Sequence, residues 1–348
     1  MPLDAQDGSI PLIQRQDVIF FASLLRGLEG SIYPILQQAK VPIDLYSSES
    51  NYDYLPENTV KNLIQALGER LELQEFIRLI SSACKNIYIP MFIRRLSQND
   101  SLRAVLDEFA EQLKSNITHT KVYTQFSGGS WWLVREKEGV DELWFTHAEL
   151  FSVIFICELL SALTANKWRP KQVGVQSSNA SVFCTLPQLA RSQFFTNRPV
   201  TAVSIDENLM MAPVCHPYIS TKEHVTPVSS SACFLGTFKL AIQPYLSMGK
   251  LPIKAAAQIL NLHVRTLQRR LAKEQVQYGA VIEEMVLEQT LDLLKCPSLK
   301  ITSIAIRMGY SDAAHFTRAF KRQMNMTPTQ YRRQFFNLKV TLVLNRDY

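Results

Sequence analysis

Apolar residues recur at helical spacing through most of the first 115 residues. The repeat runs from Asp17 to Lys40 and returns over Leu71–Cys84 and Ser101–Asn116. This spacing predicts amphipathic helices in all three segments. Pro56 precedes a fourth helical stretch, ENTVKNLIQALGERL, where a proline suits the start of a helix.

The pattern then changes to one that is typical of strands. Lys121–Arg135 contains two aromatic and β-branched runs around a Gly-Gly pair, which predicts a hairpin. A helix is predicted at about 145–165, and strands at Val173–Ser177 and Val200–Ile205 flank a helical stretch, TLPQLARSQF. Helices and strands mixed in this way predict an α+β fold for this part of the chain.

A different pattern occupies Ile253–Leu271. Its first apolar stripe comprises Ile253, Ala256, Ala257 and Leu260. Asn261 follows, a residue type that tolerates the left-handed conformation of a tight turn. Leu267 and Leu271 then form a second stripe with i, i+4 spacing. The segment is therefore predicted to be a helix, a turn and a second helix.

The same pattern returns 48 residues later. The first stripe is reproduced by Ile301, Ile304, Ala305 and Met308. Gly309 occupies the turn, where a positive φ costs glycine least, and Asp312 suits the N-cap of the next helix. Phe316 and Phe320 match the second stripe at an offset of 49. A duplicated helix, tight turn and helix is the pattern that a helix-turn-helix requires.

Basic residues surround the apolar stripe of both second helices. The first helix carries Arg265, Gln268, Arg269 and Arg270, and the second carries Thr317, Arg318, Lys321 and Arg322. Arginine can pair bidentately with guanine, and glutamine with adenine, in the major groove, while lysine suits phosphates. A solvated surface face is the alternative for either helix alone. The occurrence of basic residues on the second helix of both copies favours DNA binding instead.

The segments beside the two copies complete the predicted domain. Tyr278–Lys295 can form one helix of about 27 Å, a spacer able to set both second helices in adjacent major grooves about 34 Å apart. Thr327-Pro328 supplies an N-cap and a first-position proline for a closing helix. The tail Leu338–Asn345 is β-branched and partly alternating, so a strand and a frayed end both remain open.

Residues 301–333, ITSIAIRMGYSDAAHFTRAFKRQMNMTPTQYRR, closely resemble the signature of AraC/XylS-family transcription regulators. The shared features are an Ile-Ala pair, a Gly-aromatic turn, an aromatic-x-Arg-x-Phe-Lys/Arg helix and a Pro-x-x-Tyr-Arg end. The resemblance implies an all-α DNA-binding domain of two helix-turn-helix subdomains joined by a long helix. Carried over by position, the base-facing candidates are Arg265, Gln268, Arg269, Ala313, Ala314, Thr317 and Arg318.

The sequence departs from the family pattern at several positions. Ala313 and Ala314 replace residues that are often polar, and they offer only apolar contact, for example to a thymine methyl. We therefore hypothesise that the second unit reads sequence weakly and mainly holds the backbone. Strict base preference under its second helix would contradict this. Val286 stands where many relatives have Arg, and Gln275 and Asn325 stand where Gly is usual.

The N-terminal region resembles the arabinose-binding-type regulatory domain of ornithine-utilisation-type AraC relatives. The best matching stretch is FFTNRPVTAVSIDENLMMAPV, residues 194–214. The resemblance implies a ligand-sensing or dimerisation role. A small-molecule effector and a homodimer are therefore expected as partners, beside promoter DNA and RNA polymerase. Six aromatic residues of this region form either part of the core or the wall of an apolar pocket, and the core is the favoured interpretation. They are Phe126, Trp131, Trp132, Trp144, Phe145 and Phe151.

The charge distribution agrees with a polyanionic partner for the C-terminal part alone. Residues 250–348 carry 16 Lys and Arg against 7 Asp and Glu, a net charge of +9, while the other 249 residues carry −3. The six cysteines include no C-x-x-C pair, which is typical of reduced, buried thiols in a cytoplasmic protein. No signal peptide is recognised at the N-terminus. The apolar run Ala148–Leu163 contains two glutamates and is predicted to be a buried helix, not a membrane span.

The sequence contains little that indicates an enzyme or a metal-binding site. Pro213–Pro217 resembles the active site of DNA alkyltransferases, but a valine intervenes before the cysteine and no arginine follows the histidine. Cys215, His216 and His224 match no standard zinc spacing. No phosphate loop or nucleophile elbow occurs. We therefore expect no catalytic residues, no metal and no cofactor.

The sequence thus predicts an α+β regulatory domain over 1–225, a linker over 226–233, a DNA-binding domain over 234–336 and a tail over 337–348. The predicted function is that of a transcription regulator, with an activator as the expected type. Two alternatives remain: a degenerate regulator that acts only through protein contacts, and an enzyme with a DNA-binding appendage.

Overall fold

The computed structural model describes residues 9–26, 32–48, 50–97, 101–115, 120–214, 233–248 and 251–344. The chain forms two units. The N-terminal unit comprises Pro11–Ser48 and Asp53–Ala232, and the C-terminal unit comprises Cys233–Tyr348 with Glu49–Tyr52 and the first ten residues. The predicted linker, apart from Cys233, lies outside the described residues, so the boundaries at 225 and 234 remain predictions.

The N-terminal unit mixes helices with short strands. Its first half contains β1 (Leu12–Gln14), α1 (Arg15–Leu25), α2 (Tyr33–Gln38), β2 (Tyr54–Pro56), α3 (Glu57–Arg70), α4 (Leu73–Ala83), α5 (Ile89–Ile93) and α6 (Leu102–Ser115). Its second half contains β3 (Lys121–Ser127), β4 (Ser130–Glu136), α7 (Phe145–Leu163), β5 (Gln172–Gly174), β6 (Gln193–Phe195), β7 (Thr201–Ile205) and α8 (Glu207–Met210). A π-helical segment joins α4 to α5.

A five-stranded sheet has the order β3-β4-β7-β5-β6, and only the β5–β6 pair is parallel. The predicted hairpin is confirmed as β3–β4. Gly128 and Gly129 have φ of 60° and 77°, the positive values that tight two-residue hairpin turns favour.

The helical prediction for TLPQLARSQF is wrong. The stretch, residues 185–194, begins where one short 3₁₀ turn (Phe183–Thr185) ends, contains a second (Pro187–Leu189), and ends in β6. The strand arises from pairing with β5, where the Gln193 N–H donates to the Lys171 carbonyl at 2.8 Å. Long-range sheet pairing therefore overrides the local helical pattern.

Helix α7 lies in the core of the N-terminal unit, as predicted for Ala148–Leu163. Its buried Glu149 accepts hydrogen bonds from the Gln176 N–H at 2.7 Å, from Ser177 and from the Thr201 hydroxyl at 2.6 Å. These donors stabilise a charge in an apolar run. Leu73–Ile93 and Phe145–Leu163 are each long and apolar enough to cross a membrane, which is weak evidence because core helices have the same composition.

The C-terminal unit consists of helices joined by short connections, and its described residues include no strand. It contains α9 (Phe234–Ile242), α10 (Ile253–Ile259), α11 (Val264–Lys273), α12 (Tyr278–Leu294), α13 (Ile301–Arg307), α14 (Ala313–Met324) and α15 (Pro328–Leu344). The tail is part of α15 as far as Leu344, so the strand alternative for it is wrong. Two early residues also join this unit: the Ile10 N–H donates to the Thr237 hydroxyl at 2.9 Å, and the Asn51 carbonyl accepts from the Gln243 side chain at 2.6 Å.

The described cysteines are all unpaired, although only Cys84 and Cys157 are buried. Burial raises the pKa of the Cys84 thiol to about 12, so this group is inert as a nucleophile. No group of three or more potential metal ligands occurs in the described part of the chain. Cys215, His216 and His224 lie outside it.

Candidate nucleic-acid interface

The two predicted turns have the same backbone hydrogen bonds. Between α10 and α11, the Leu262 N–H donates to the Ala257 carbonyl at 2.8 Å. Between α13 and α14, the Tyr310 N–H donates to the Ala305 carbonyl at 2.9 Å. These pairs are 48 residues apart, which is the offset of the sequence repeat. The duplication of pattern is therefore a duplication of structure.

Small and conformationally permissive residues make both turns tight. Asn261 and Gly309 have φ of 52° and 72°, as the sequence predicts for these positions. Ala257 and Ala305 are 2% and 0% exposed. A side chain no larger than a methyl group lets the first helix of each pair pack closely against its partner.

The apolar stripes form the core of each helix pair. Leu267 and Leu271 of α11 are buried. In the second pair the buried cluster contains Leu294, Ile304, Ala305, Met308, Phe316 and Phe320. Because this cluster holds the inner face of α14, the basic positions of that helix face outward.

Side chains fix where α14 and α15 begin. The Asp312 carboxylate accepts from the His315 N–H at 2.6 Å, and this hydrogen bond lowers the pKa of Asp312. Before α15, the Thr327 hydroxyl accepts from the Gln330 N–H at 3.2 Å, and the Gln330 side chain accepts from the Thr327 N–H at 2.8 Å. This is a capping box, and it agrees with the predicted start at Pro328.

Six polar side chains of the two second helices are exposed, and we call this set the basic face. They are Arg265, Gln268 and Arg269 on α11, and Arg318, Lys321 and Arg322 on α14. None of the six donates a side-chain hydrogen bond or forms an ion pair within the described part of the chain. Charges left unpaired at the surface are free to contact phosphates and base edges.

The other residues predicted to contact DNA differ in how available their side chains are. Arg270 lies over the Phe234 ring, 5.6 Å from its centroid, and so is engaged within the unit. Ala313 packs against the buried cluster, and the Thr317 hydroxyl donates to the Ala313 carbonyl at 2.7 Å. Ala314 is exposed. Base contact by these residues remains a prediction, and Ala313 and Thr317 also have structural roles.

Helix α12 contacts the elements on either side of it. At its start, the Tyr278 hydroxyl donates to the Leu251 carbonyl at 2.7 Å, and Glu284 pairs with Lys239 of α9 at 2.9 Å. At its end, the Leu294 carbonyl accepts from Arg332 of α15 at 3.1 Å. Arginine stabilises the C-terminus of a helix. The sequence showed Arg332 only as part of a motif and did not predict this contact.

One of two left-handed helix ends, Gln275, carries strain that a glycine would relieve. Gln275 and Asn325 follow α11 and α14 with φ of 58° and 55°, where a side chain other than Asn or Gly costs about 1–2 kcal/mol. We expect Gln275→Gly to raise the free energy of unfolding by about 0.5–1 kcal/mol. Urea denaturation of the full chain measures this. Gln275→Ala is the matched control and should give no gain; a destabilised Gln275→Gly variant would contradict the assignment of strain.

Comparison with known proteins agrees with this geometry. Residues 256–334 match the family model of a helix-turn-helix domain, a range that runs from within α10 to within α15. This segment is an AraC-type helix-turn-helix domain. The strand and hairpin region before residue 215 lies outside the match.

Relatives of the AraC-type domain are named as regulators. The chain is 32% identical over 134 residues to the HTH-type transcriptional regulator VirS of Mycobacterium tuberculosis, covering 37% of this chain and 39% of VirS. It is 33% identical over 79 residues to the HTH-type transcriptional activator RhaS of Escherichia coli, covering 22% of this chain and 28% of RhaS. The matches thus span about two fifths or less of these relatives.

Among solved structures, the transcriptional regulator CdpR from Pseudomonas aeruginosa is 15% identical, with a TM-score of 0.36, over 88% of this chain and 99% of that chain. The C-terminal domain of AraT from Geobacillus stearothermophilus is 29% identical, with a TM-score of 0.27; the match covers 29% of this chain and 84% of the AraT domain.

Proposed function

We propose that this protein is a sequence-specific DNA-binding transcription regulator. Its binding domain consists of two helix-turn-helix subdomains joined by α12, with α11 and α14 as the recognition helices. One observation carries the proposal: the same turn hydrogen bonds occur twice, and each is followed by a helix with exposed, unpaired basic side chains. If the basic residues were only the solvated faces of ordinary surface helices, there would be no reason for the turn and the basic helix to occur twice.

The charge of the C-terminal residues supports the same function. Residues 250–348 carry a net +9 while the rest of the chain is mildly acidic. Neutralising phosphates releases condensed counterions, so affinity should fall steeply as salt rises. Arg265, Gln268, Arg269 and Arg318 are the candidates for base contact, and Lys321 and Arg322 for phosphate contact.

The proposed role of the N-terminal unit is to control DNA binding by the C-terminal unit. An effector or a second copy of the chain bound there would change the arrangement or dimerisation of the DNA-binding domain, and so promoter occupancy and contact with RNA polymerase. The activator name of RhaS supports activation as the outcome. The cytoplasm is the proposed location, because promoter DNA lies there.

The degenerate-regulator alternative rests on Val286, Ala313 and Asn325. The structure accommodates all three: Val286 and Ala313 pack against the buried cluster, and Asn325 adopts the left-handed conformation that asparagine tolerates. The departures thus leave the basic face intact. The named relatives are regulators, which gives the enzyme alternative no support.

Hydroxyl-radical footprinting tests the two-subdomain arrangement. A duplex is first selected from a random-sequence library with the full chain. We expect two protected patches on one face of the duplex, about 10–10.5 base pairs apart. Arg318→Ala should weaken one patch and Arg269→Ala the other, while Arg191→Ala, an exposed arginine of the N-terminal unit, should change neither. A single patch lost equally in both variants would contradict two separate subdomains.

A further inference from the structure

A cavity of about 180 Å³ lies within the N-terminal unit. Its wall includes the aromatic side chains of Phe21, Phe92, Phe109, Trp144, Phe151 and Phe155. Of the aromatic residues predicted from the sequence as core or pocket, only Trp144 and Phe151 line it. The others lie elsewhere, Phe145 in the core and Phe126 at 51% exposure. For scale, a cavity of about 150 Å³ can hold a benzene ring.

Charged groups also reach this cavity, and its two acids already have partners. Glu57 forms ion pairs with Lys137 and, at 3.2 Å, with Lys61. Asp17 accepts from the Tyr88 hydroxyl at 2.8 Å. All of these residues line the cavity wall. Burial raises the pKa of Asp17, so its negative charge is disfavoured.

Arg135 is the exception among these groups. It lies on β4, is 5% exposed and lines the cavity. Its Nη1 atom is buried without a hydrogen-bond partner, and no ion pair joins it to another described residue. The acids nearest to it are Glu149 and Glu57; Glu149 accepts the hydrogen bonds given above, and Glu57 forms ion pairs with Lys137 and Lys61.

An arginine in this state is costly for the fold. A buried charge loses its hydration, and the attraction of Glu149 and Glu57 offsets only part of that cost at Arg135. Burial lowers the pKa of Arg135 to about 10, which still leaves the guanidinium charged at neutral pH. With Lys61 and Lys137, three cations line the cavity against two acids. The cavity wall therefore contains a buried donor, the Arg135 Nη1 atom, that lacks an acceptor.

We propose that the cavity binds a small molecule with one carboxylate and an apolar body. The carboxylate pairs with the Arg135 guanidinium, whose two parallel N–H donors match the two carboxylate oxygens. The apolar body packs against the aromatic side chains of the wall. A sugar fits less well, because its many hydroxyls would meet mostly apolar side chains and remain unpaired. The effect of such a ligand on DNA binding rests on the proposed function, but its binding does not.

Isothermal titration of the full chain, without DNA, tests the proposal. The probes are straight-chain carboxylates from butanoate to dodecanoate and phenylacetate, each with its uncharged amide. We expect at least one carboxylate to bind with a Kd below ~1 mM and to raise the Tm, with its amide binding about 10–100-fold more weakly. Failure of every carboxylate to bind would overturn the proposal, whatever the DNA experiments show.

Two variants locate the site. Arg135→Met should lower carboxylate affinity about 10–100-fold, and it should leave folding intact because no side-chain hydrogen bond or ion pair to a described residue is lost. Arg191→Met is the matched control and should bind as the parent does. Should Arg135→Met not fold, Ser152→Phe fills the cavity from its wall and should abolish binding while keeping Arg135. Undiminished binding in the folded Arg135→Met or in Ser152→Phe would place the ligand elsewhere.

Discussion

Replacing Phe316 with alanine should lower the free energy of unfolding of the C-terminal unit by about 3–5 kcal/mol. Phe316 is 1% exposed at the centre of the second buried cluster, and its ring lies 5.3 Å from that of Tyr310 and 6.0 Å from that of Phe320. Deleting the ring leaves a cavity between α13 and α14. The outward orientation of the basic side chains of α14 then loses its support.

Urea denaturation of the full chain, with hydrogen exchange of the α13 and α14 amides, measures the loss. Phe126→Ala is the matched control, because this phenylalanine is 51% exposed and makes a cross-strand contact worth under about 1 kcal/mol. A Phe316→Ala variant as stable as the control would show that the cluster does not hold the second helix pair together.

The second large effect concerns DNA affinity. Arg269→Ala and Arg318→Ala should each weaken specific binding by about 1–3 kcal/mol. Both side chains are exposed, on α11 and α14 respectively, and unpaired within the described residues, so their removal leaves the fold unchanged. They lie on different helices and share no contact, so the double variant should lose about 2–6 kcal/mol.

Fluorescence anisotropy on the selected duplex and on a scrambled one separates specific from non-specific binding. Arg191→Ala serves as the charge-matched control and should bind as the parent does. A single variant that keeps its affinity for the selected duplex would remove that arginine from the interface. A variant that loses affinity equally for both duplexes would make the residue a phosphate contact instead of a base contact.

Local patterns predicted much of the C-terminal unit. The stripe from Ile253 to Leu260, its repeat from Ile301 to Met308 and the turn at Gly309 depend on spacing within one or two helices, which the sequence displays directly. The Gly-Gly hairpin is local in the same sense. These features succeed because the residues that make the contacts are neighbours in the chain.

The errors came from contacts between distant residues. Strand β6 forms because β5 pairs with it, and Ile10 joins the C-terminal unit through Thr237, 227 residues away. No spacing rule reveals such partners. The tail through Leu344 is β-branched yet continues α15, because an established helix extends more easily than a new one begins.

The candidate site was predictable in position but not in detail. Spacing placed Arg269 and Arg270 side by side, and only the structure shows that Arg270 lies over Phe234. Arg135 was hidden for a related reason. In the strand SWWLVRE it looks like an outward polar residue, whereas it is buried at a cavity that helices from other parts of the chain help to enclose.

Recovery of genomic DNA fragments by the purified full chain, at ~50 and ~200 mM salt, tests the central claim most directly. We predict an enriched asymmetric site of about 20 base pairs, with two half-contacts one helical turn apart, and much weaker recovery at the higher salt. Absence of DNA recovery at either salt would contradict a DNA-binding function and favour a regulator that acts only through protein contacts.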